Sequence, residues 1–171
     1  MGRRYLGLGA ALAAVALVAA APAAHADDPD LLSIGGGAYN VLHNSKEAQL
    51  RGEYRFAYRF LHIIRPVVGA LFTNKHSFFG YAGFRFDAEI GRHIVIMPEA
   101  TMGYWSRGEG KDIGGPFEFK TGGEFAWRFD DYSRIGLLFD HISSAGIYKK
   151  NPGVESALLV YSIPLNWSSN R

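Results

Sequence analysis

The chain has 171 residues, a length that suits one domain, and it contains no cysteine, which excludes a disulfide framework and a thiolate metal site. Its formal net charge is +2, and Arg3 and Arg4 in a leader segment account for both units, so residues 27–171 are neutral and give no electrostatic case for nucleic acid. After the leader no run reaches the roughly 18 consecutive apolar residues that a membrane helix needs, whereas a barrel strand needs only about 10 with every second one apolar.

Residues 1–26 read as a secretory signal peptide. Arg3-Arg4 make a positive start, Leu6 to Ala21 is apolar or glycine throughout, and Ala24-His25-Ala26 is a small-x-small cleavage pattern before Asp27-Asp28. The exported domain is then 27–171. From there the hydropathy has period two, which is the signature of strands. Eight such runs are expected, at about 31–41, 47–60, 63–73, 78–90, 93–106, 116–130, 133–145 and 155–167. In the second, Leu50, Tyr54, Phe56, Tyr58 and Phe60 alternate with Gln49, Arg51, Glu53, Arg55 and Arg59. In the sixth, Phe117, Phe119, Phe125, Trp127 and Phe129 oppose Glu118, Lys120, Glu124, Arg128 and Asp130. The last places Ala157, Leu159, Tyr161, Ile163, Leu165 and Trp167 on one side, an aromatic-ended final strand. Pro66, Pro98 and Pro164 fall inside runs, where each removes a ladder donor and blurs local boundaries.

An eight-stranded barrel has an interior just wide enough to be filled by side chains. The aromatic face carries too many large rings to fit there, while the charged face holds both signs and can pair with itself. The rings therefore belong against lipid and the charges inside as a packed ion-pair core, which makes the expected fold an all-β, eight-stranded antiparallel up-and-down transmembrane β-barrel. A soluble lipocalin-like barrel is the alternative. The connections support the membrane form. Short links at Leu61-His62, Gly91-Arg92 and Asp131-Tyr132 alternate with longer ones at 42–46, 74–77, 107–115 and 146–154, as periplasmic turns alternate with extracellular loops.

One place breaks the pattern. The apolar face of the seventh run continues from Ile135, Leu137 and Phe139 into His141 and Ser143, and the eighth run opens on the same face with Glu155. Polar groups turned to lipid are costly, less so near the interface, and such departures mark function. Serine needs a base before it can attack an ester carbonyl, histidine supplies one near neutral pH, and a carboxylate fixes the imidazole tautomer. On patterning alone, polar residues resting at a bilayer interface with Glu155 in water are the favoured reading and catalysis the alternative.

The stretch Phe139-Asp140-His141-Ile142-Ser143-Ser144-Ala145-Gly146, with Asn151-Pro152-Gly153-Val154-Glu155-Ser156 downstream, resembles the C-terminal signature of PagL-type lipid A 3-O-deacylases. The distinctive part spans about residues 139–165, and the rest matches by barrel pattern and length. The resemblance implies an outer-membrane barrel with a catalytic triad of His141, Ser143 and Glu155 on its exterior. It also implies an oxyanion hole with Asn151, to which the Gly146 N–H is a plausible second donor. Where the family usually carries Asn after the serine, this chain has Ser144. The implied reaction is hydrolysis of the 3-hydroxyacyl ester at position 3 of lipid A, with lipopolysaccharide and outer-membrane lipids as the surroundings and no metal or cofactor. Family members can pair as homodimers, for which this sequence carries no interface signal.

Other signals point elsewhere only weakly. Gly35-Gly36-Gly37 has no helix after it and reads as thin strand wall, and Gly108-Glu109-Gly110-Lys111 lacks the Ser or Thr of a phosphate loop. His43, His62, His76 and His93 are scattered, without a His-Glu-x-x-His pattern. Lys149, Lys150 and Arg107 in outer loops are either solvated loop charge or contacts to lipid A phosphates. The rival functions are a non-enzymatic surface barrel, such as an adhesin or membrane-stabilising protein, and another outer-leaflet lipid hydrolase or acyl transferase.

Overall fold

The computed structural model describes residues 29–61 and 63–165. The expected leader, His62 and the tail from residue 166, Trp167 included, lie outside the described residues. The strands are β1 (Asp30–Tyr39), β2 (Glu47–Arg55), β3 (Ile64–Thr73), β4 (Phe78–Phe86), β5 (Ala88–Ile90), β6 (Ile94–Ser106), β7 (Phe117–Arg128), β8 (Arg134–Ser143) and β9 (Val154–Leu165). Each is antiparallel to its neighbours in the order β4-β3-β2-β1-β9-β8-β7-β6, and β6 pairs back onto β4, so the sheet closes. The first and last strands meet at the seam, where Asp30 faces Leu165 and Tyr39 faces Ser156. This is a closed eight-stranded antiparallel barrel. Its ninth element, β5, continues β4 beyond Asp87 and pairs with β6 alone.

Most run boundaries fall within about two residues of expectation, and two differ by more. The fourth run breaks at Asp87, where the pairing with β3, which begins at Ile64, ends in a last bond from the Asp87 N–H to the Ile63 carbonyl at 2.9 Å. There Asp87 turns inward instead, to the Arg134 Nη1 at 3.0 Å and the Arg65 Nε at 3.1 Å. The second run ends at Arg55, not Phe60, since Asp30 caps the chain by accepting the Ala57 N–H. Beyond it a single bridge, Phe60 to Ile64, forms the turn.

The alternation sorts the faces as the side-chain sizes require. Leu137 is 67% exposed and the guanidinium-bearing Arg85 is 0% exposed, an inversion of ordinary soluble burial. Apolar side chains on the outside, such as Ile34, Phe72, Phe125 and Leu159, match a lipid-facing wall. The soluble alternative would bury this face. Inside, Arg85 meets Glu53 at 2.7 Å, Glu99 at 2.6 Å and Glu124 at 3.1 Å. Arg55 joins Glu53 and Glu124, Lys120 pairs with Glu99, and Arg51 pairs with Asp140. These dry charges are tolerable because each of them has an opposite partner. Toward the long-loop end the filling turns apolar: Tyr39, Leu71, Phe79, Tyr81, Trp105, Ile142 and Val154 cluster around Ile113, which the 107–116 loop tucks into the barrel mouth.

Candidate active site

The end of β8 and the start of β9 carry the polar group on the outer wall. Strand register sets His141 opposite Glu155, and opposite Thr121 of β7 on its other side. A direct cross-strand pair brings side chains within about 5 Å, close enough to bond. Accordingly His141 Nδ1 and Glu155 Oε1 lie 3.1 Å apart. The His141 side chain is 44% exposed and that of Glu155 17%, so the base meets the surroundings while the acid is shielded. A proton on Nδ1, donated to the carboxylate, leaves Nε2 as the free base.

Ser143 sits one pair further along the same face, opposite Phe119. Residues i and i+2 of a strand are roughly 7 Å apart at Cα. At rest the spacing keeps Ser143 Oγ off the ring: among the described residues the imidazole bonds to Glu155 and not to Ser143. The site thus has its acid and base joined and its hydroxyl alongside. Ser144 points the other way, fully buried.

The 144–153 loop frames the trio. Ala145 (φ 50°) and Gly146 (φ 80°) take left-handed conformations, and the Ile147 N–H bonds back to the Ser144 carbonyl at 3.0 Å. This is the φ pattern of a type I′ turn, for which a glycine at the second central position is well suited. Gly146 is exposed with open space beside it. Asn151 Oδ1 accepts the Ser144 N–H at 2.9 Å. That bond ties the loop to the end of β8, takes the Ser144 amide out of use as an anion donor, and leaves the Asn151 Nδ2 group as the side chain's donor.

Three further residues belong to the site. Gly153 is buried at φ 62°, and a Cβ there would lie 2.5 Å from His141 Cε1 and 3.0 Å from Nε2. The bare α-carbon is therefore the wall against which the imidazole rests. Pro152-Gly153 signals a turn in the sequence, but not the ring that packs on it. His43, from the loop after β1, brings its Nδ1 to 3.9 Å from Glu155 Oε2. Lys111, from the β6–β7 loop, donates to Asn40 Oδ1 at 3.1 Å. Burial holds the Lys111 ammonium below the usual lysine range, and the negative charge of Glu155 works against that shift. Of the outer-loop cations, Lys150 is held by Asp112 at 2.8 Å and Arg107 approaches the same carboxylate at 4.0 Å.

Immediately beyond the trio, toward the short-turn end, the outer wall carries a groove of about 600 Å³. Ile96, Pro98, Phe125, Leu137, Phe139 and Leu159 line it, with Gly123 and Ala157 keeping it open. Phe139 and Ala157 are the pair directly next to His141 and Glu155 on this face, so the groove runs up to the polar group.

A family model described as lipid A 3-O-deacylase (PagL) matches residues 31–164. Among solved structures, the crystal structure of the outer membrane enzyme PagL is similar in fold, with a TM-score of 0.58 and 20% sequence identity, covering 79% of this chain and 99% of that one. No curated protein matches.

Proposed function

The chain belongs to the lipid A 3-O-deacylase family, and from that premise we propose that it hydrolyses the 3-hydroxyacyl ester at position 3 of lipid A from the outer wall of an outer-membrane barrel. The observation that carries this reading is the His141–Glu155 pair, 3.1 Å apart, beside Ser143 at the head of an apolar groove. A lipid substrate in the same leaflet reaches such a site sideways and lays its acyl chain in the groove among Phe125, Leu137, Phe139 and Leu159.

Ser143 Oγ attacks the ester carbonyl carbon while His141 Nε2 takes its proton, and Glu155 stabilises the resulting imidazolium through Nδ1. The roughly 7 Å strand spacing between the two residues is closed by a change of serine rotamer and a tilt of the imidazole, which suits a hydrogen bond that tightens only with substrate bound. Asn151 Nδ2 and the Gly146 N–H are the donors for the developing oxyanion. The carbonyl re-forms, the sugar 3-oxygen leaves with the proton from His141, and the acyl group stays on Ser143. Water, deprotonated by His141, then attacks the acyl ester and releases the hydroxy fatty acid. Export through residues 1–26 supplies the location.

Mass spectrometry of lipid A from cells producing the protein tests the proposal. One hydroxyacyl mass is lost with the native chain and retained with Ser143→Ala. An unchanged spectrum would favour a non-enzymatic barrel, a gained acyl chain a transferase, and fatty acid released from phospholipid a phospholipase.

A further inference from the structure

Glu155 is bonded on one side only. Its Oε1 takes the bond from His141, while its Oε2 is buried with no hydrogen-bond partner among the described residues. A carboxylate oxygen left bare in this way is costly unless a positive group stands near. Two face it. His43 Nδ1 stands 3.9 Å away on a half-exposed ring, about 1 Å outside hydrogen-bond distance. Lys111 contributes its charge from the β6–β7 loop. With His141 these are the titratable groups around Glu155 from β8, the loop after β1, and the β6–β7 loop. The Val41 N–H binds the Glu155 main-chain oxygen at 3.0 Å, which keeps the His43 loop in place beside the carboxylate.

We propose that His43 is a positioning residue of the reaction: it holds the second oxygen of Glu155, so one carboxylate serves two imidazoles and the outer one sets how firmly the inner one keeps a proton. This deepens the proposed serine mechanism and rests on it for its catalytic meaning. As a neutral ring, His43 donates N–H to Oε2 once its loop closes the remaining distance of about 1 Å, and so keeps the carboxylate facing His141. As a cation, it offsets the charge of Glu155, and His141 then gives up its proton more readily.

Three variants separate this from a packing role. His43→Gln keeps a donor but never a charge, His43→Lys carries a fixed charge, and His43→Ala has neither. In detergent-solubilised full-length protein acting on lipid A, the acid limb of the kcat/KM profile should move to higher pH in His43→Gln. It should move to lower pH in His43→Lys, with the two separated by roughly half a pH unit or more. Above pH 8, His43→Ala should lose about tenfold in kcat at unchanged KM, and His43→Gln should restore most of it. NMR titration of the His141 ring in the same variants should give the same order of midpoints without any turnover. Superimposable titrations in all three variants would overturn the proposal. A lipid A spectrum indifferent to Ser143→Ala would instead overturn the deacylase reading, while the ring titration still decides the place of His43.

Discussion

Asp140 and His141 are neighbours on one strand and face opposite surroundings. Asp140 turns into the lumen, is fully buried and pairs with Arg51 inside a continuous charge network. His141 turns outward, is nearly half exposed and has a single strong partner, Glu155. The lumen satisfies charge by crowding it: Arg85 alone touches three carboxylates. The outer wall keeps charge sparse, shielded on the acid and open on the base. Dense pairing fixes a structure, whereas a lone oriented pair with one free nitrogen is left available for chemistry. The same two-residue alternation that makes the wall thus separates the scaffold from the site of the proposed reaction.

The sharpest way to break that contrast is to remove the hydroxyl. Ser143→Ala should lower hydroxy fatty acid release by about 10³-fold or more while the barrel keeps its resistance to unfolding. Retained activity would mean that the outer trio is ornament. The converse change sits inside. Arg85→Met leaves Glu53, Glu99 and Glu124 facing one another and should cost about 3–5 kcal/mol in denaturant unfolding. Activity per folded molecule should be little changed, and a loss of activity larger than the loss of fold would show the two faces to be coupled. Smaller still, Gly153→Ala forces a side chain into a left-handed position and against the imidazole. It should cost about 1–2 kcal/mol of stability and roughly tenfold in kcat, and a rate equal to the native one would deny Gly153 its role as the ring's support. Least of all, Asp112→Asn loosens the contact between the two outer loops and should change the rate by less than about twofold. The Lys150 hydrogen bond holds the Asp112 carboxyl below the usual carboxylate range, so its contribution is present above the free value near pH 4 and fades as the pH falls through the lower folded value. Protection factors of the 144–153 amides, with exchange corrected for its intrinsic pH dependence between pH 6 and pH 3, should therefore fall only at the acid end.

The barrel was readable because its physics is local. From Glu47 to Arg55 every second residue is charged or polar, and the strand and its faces follow from that alternation alone. The inverted burial was readable from ring size, since Phe125, Trp127 and their neighbours do not fit a narrow interior. The cap of Asp30 on Ala57 and the break at Asp87 were not, because both depend on where another strand begins. The inward face also proved to be charged only in part, with Tyr39, Phe79 and Trp105 gathered under Ile113 at the loop end. At the site, His141 and Glu155 could be placed on one face by parity, and register then set them opposite one another. Gly153 against the ring, His43 beside Glu155 and Asn151 on the Ser144 amide arise from loop conformations, where left-handed residues redirect the chain and no period reports the outcome. Among the scattered histidines, His43 stands 112 residues before Glu155 in sequence and beside it in space only because the seam joins β1 to β9.

That seam has a consequence for timing. Glu155 lies on β9, the last strand of the described residues, and its main-chain oxygen is held by the Val41 N–H from beyond β1. A sheet with β8 and β9 paired but this edge unsealed holds Ser143, His141 and Glu155 without the Val41 bond to the last of them. Closing the seam therefore adds the β1 side, His43 and the Val41 hold on Glu155, to a His141–Glu155 pair that the β8–β9 hairpin already sets.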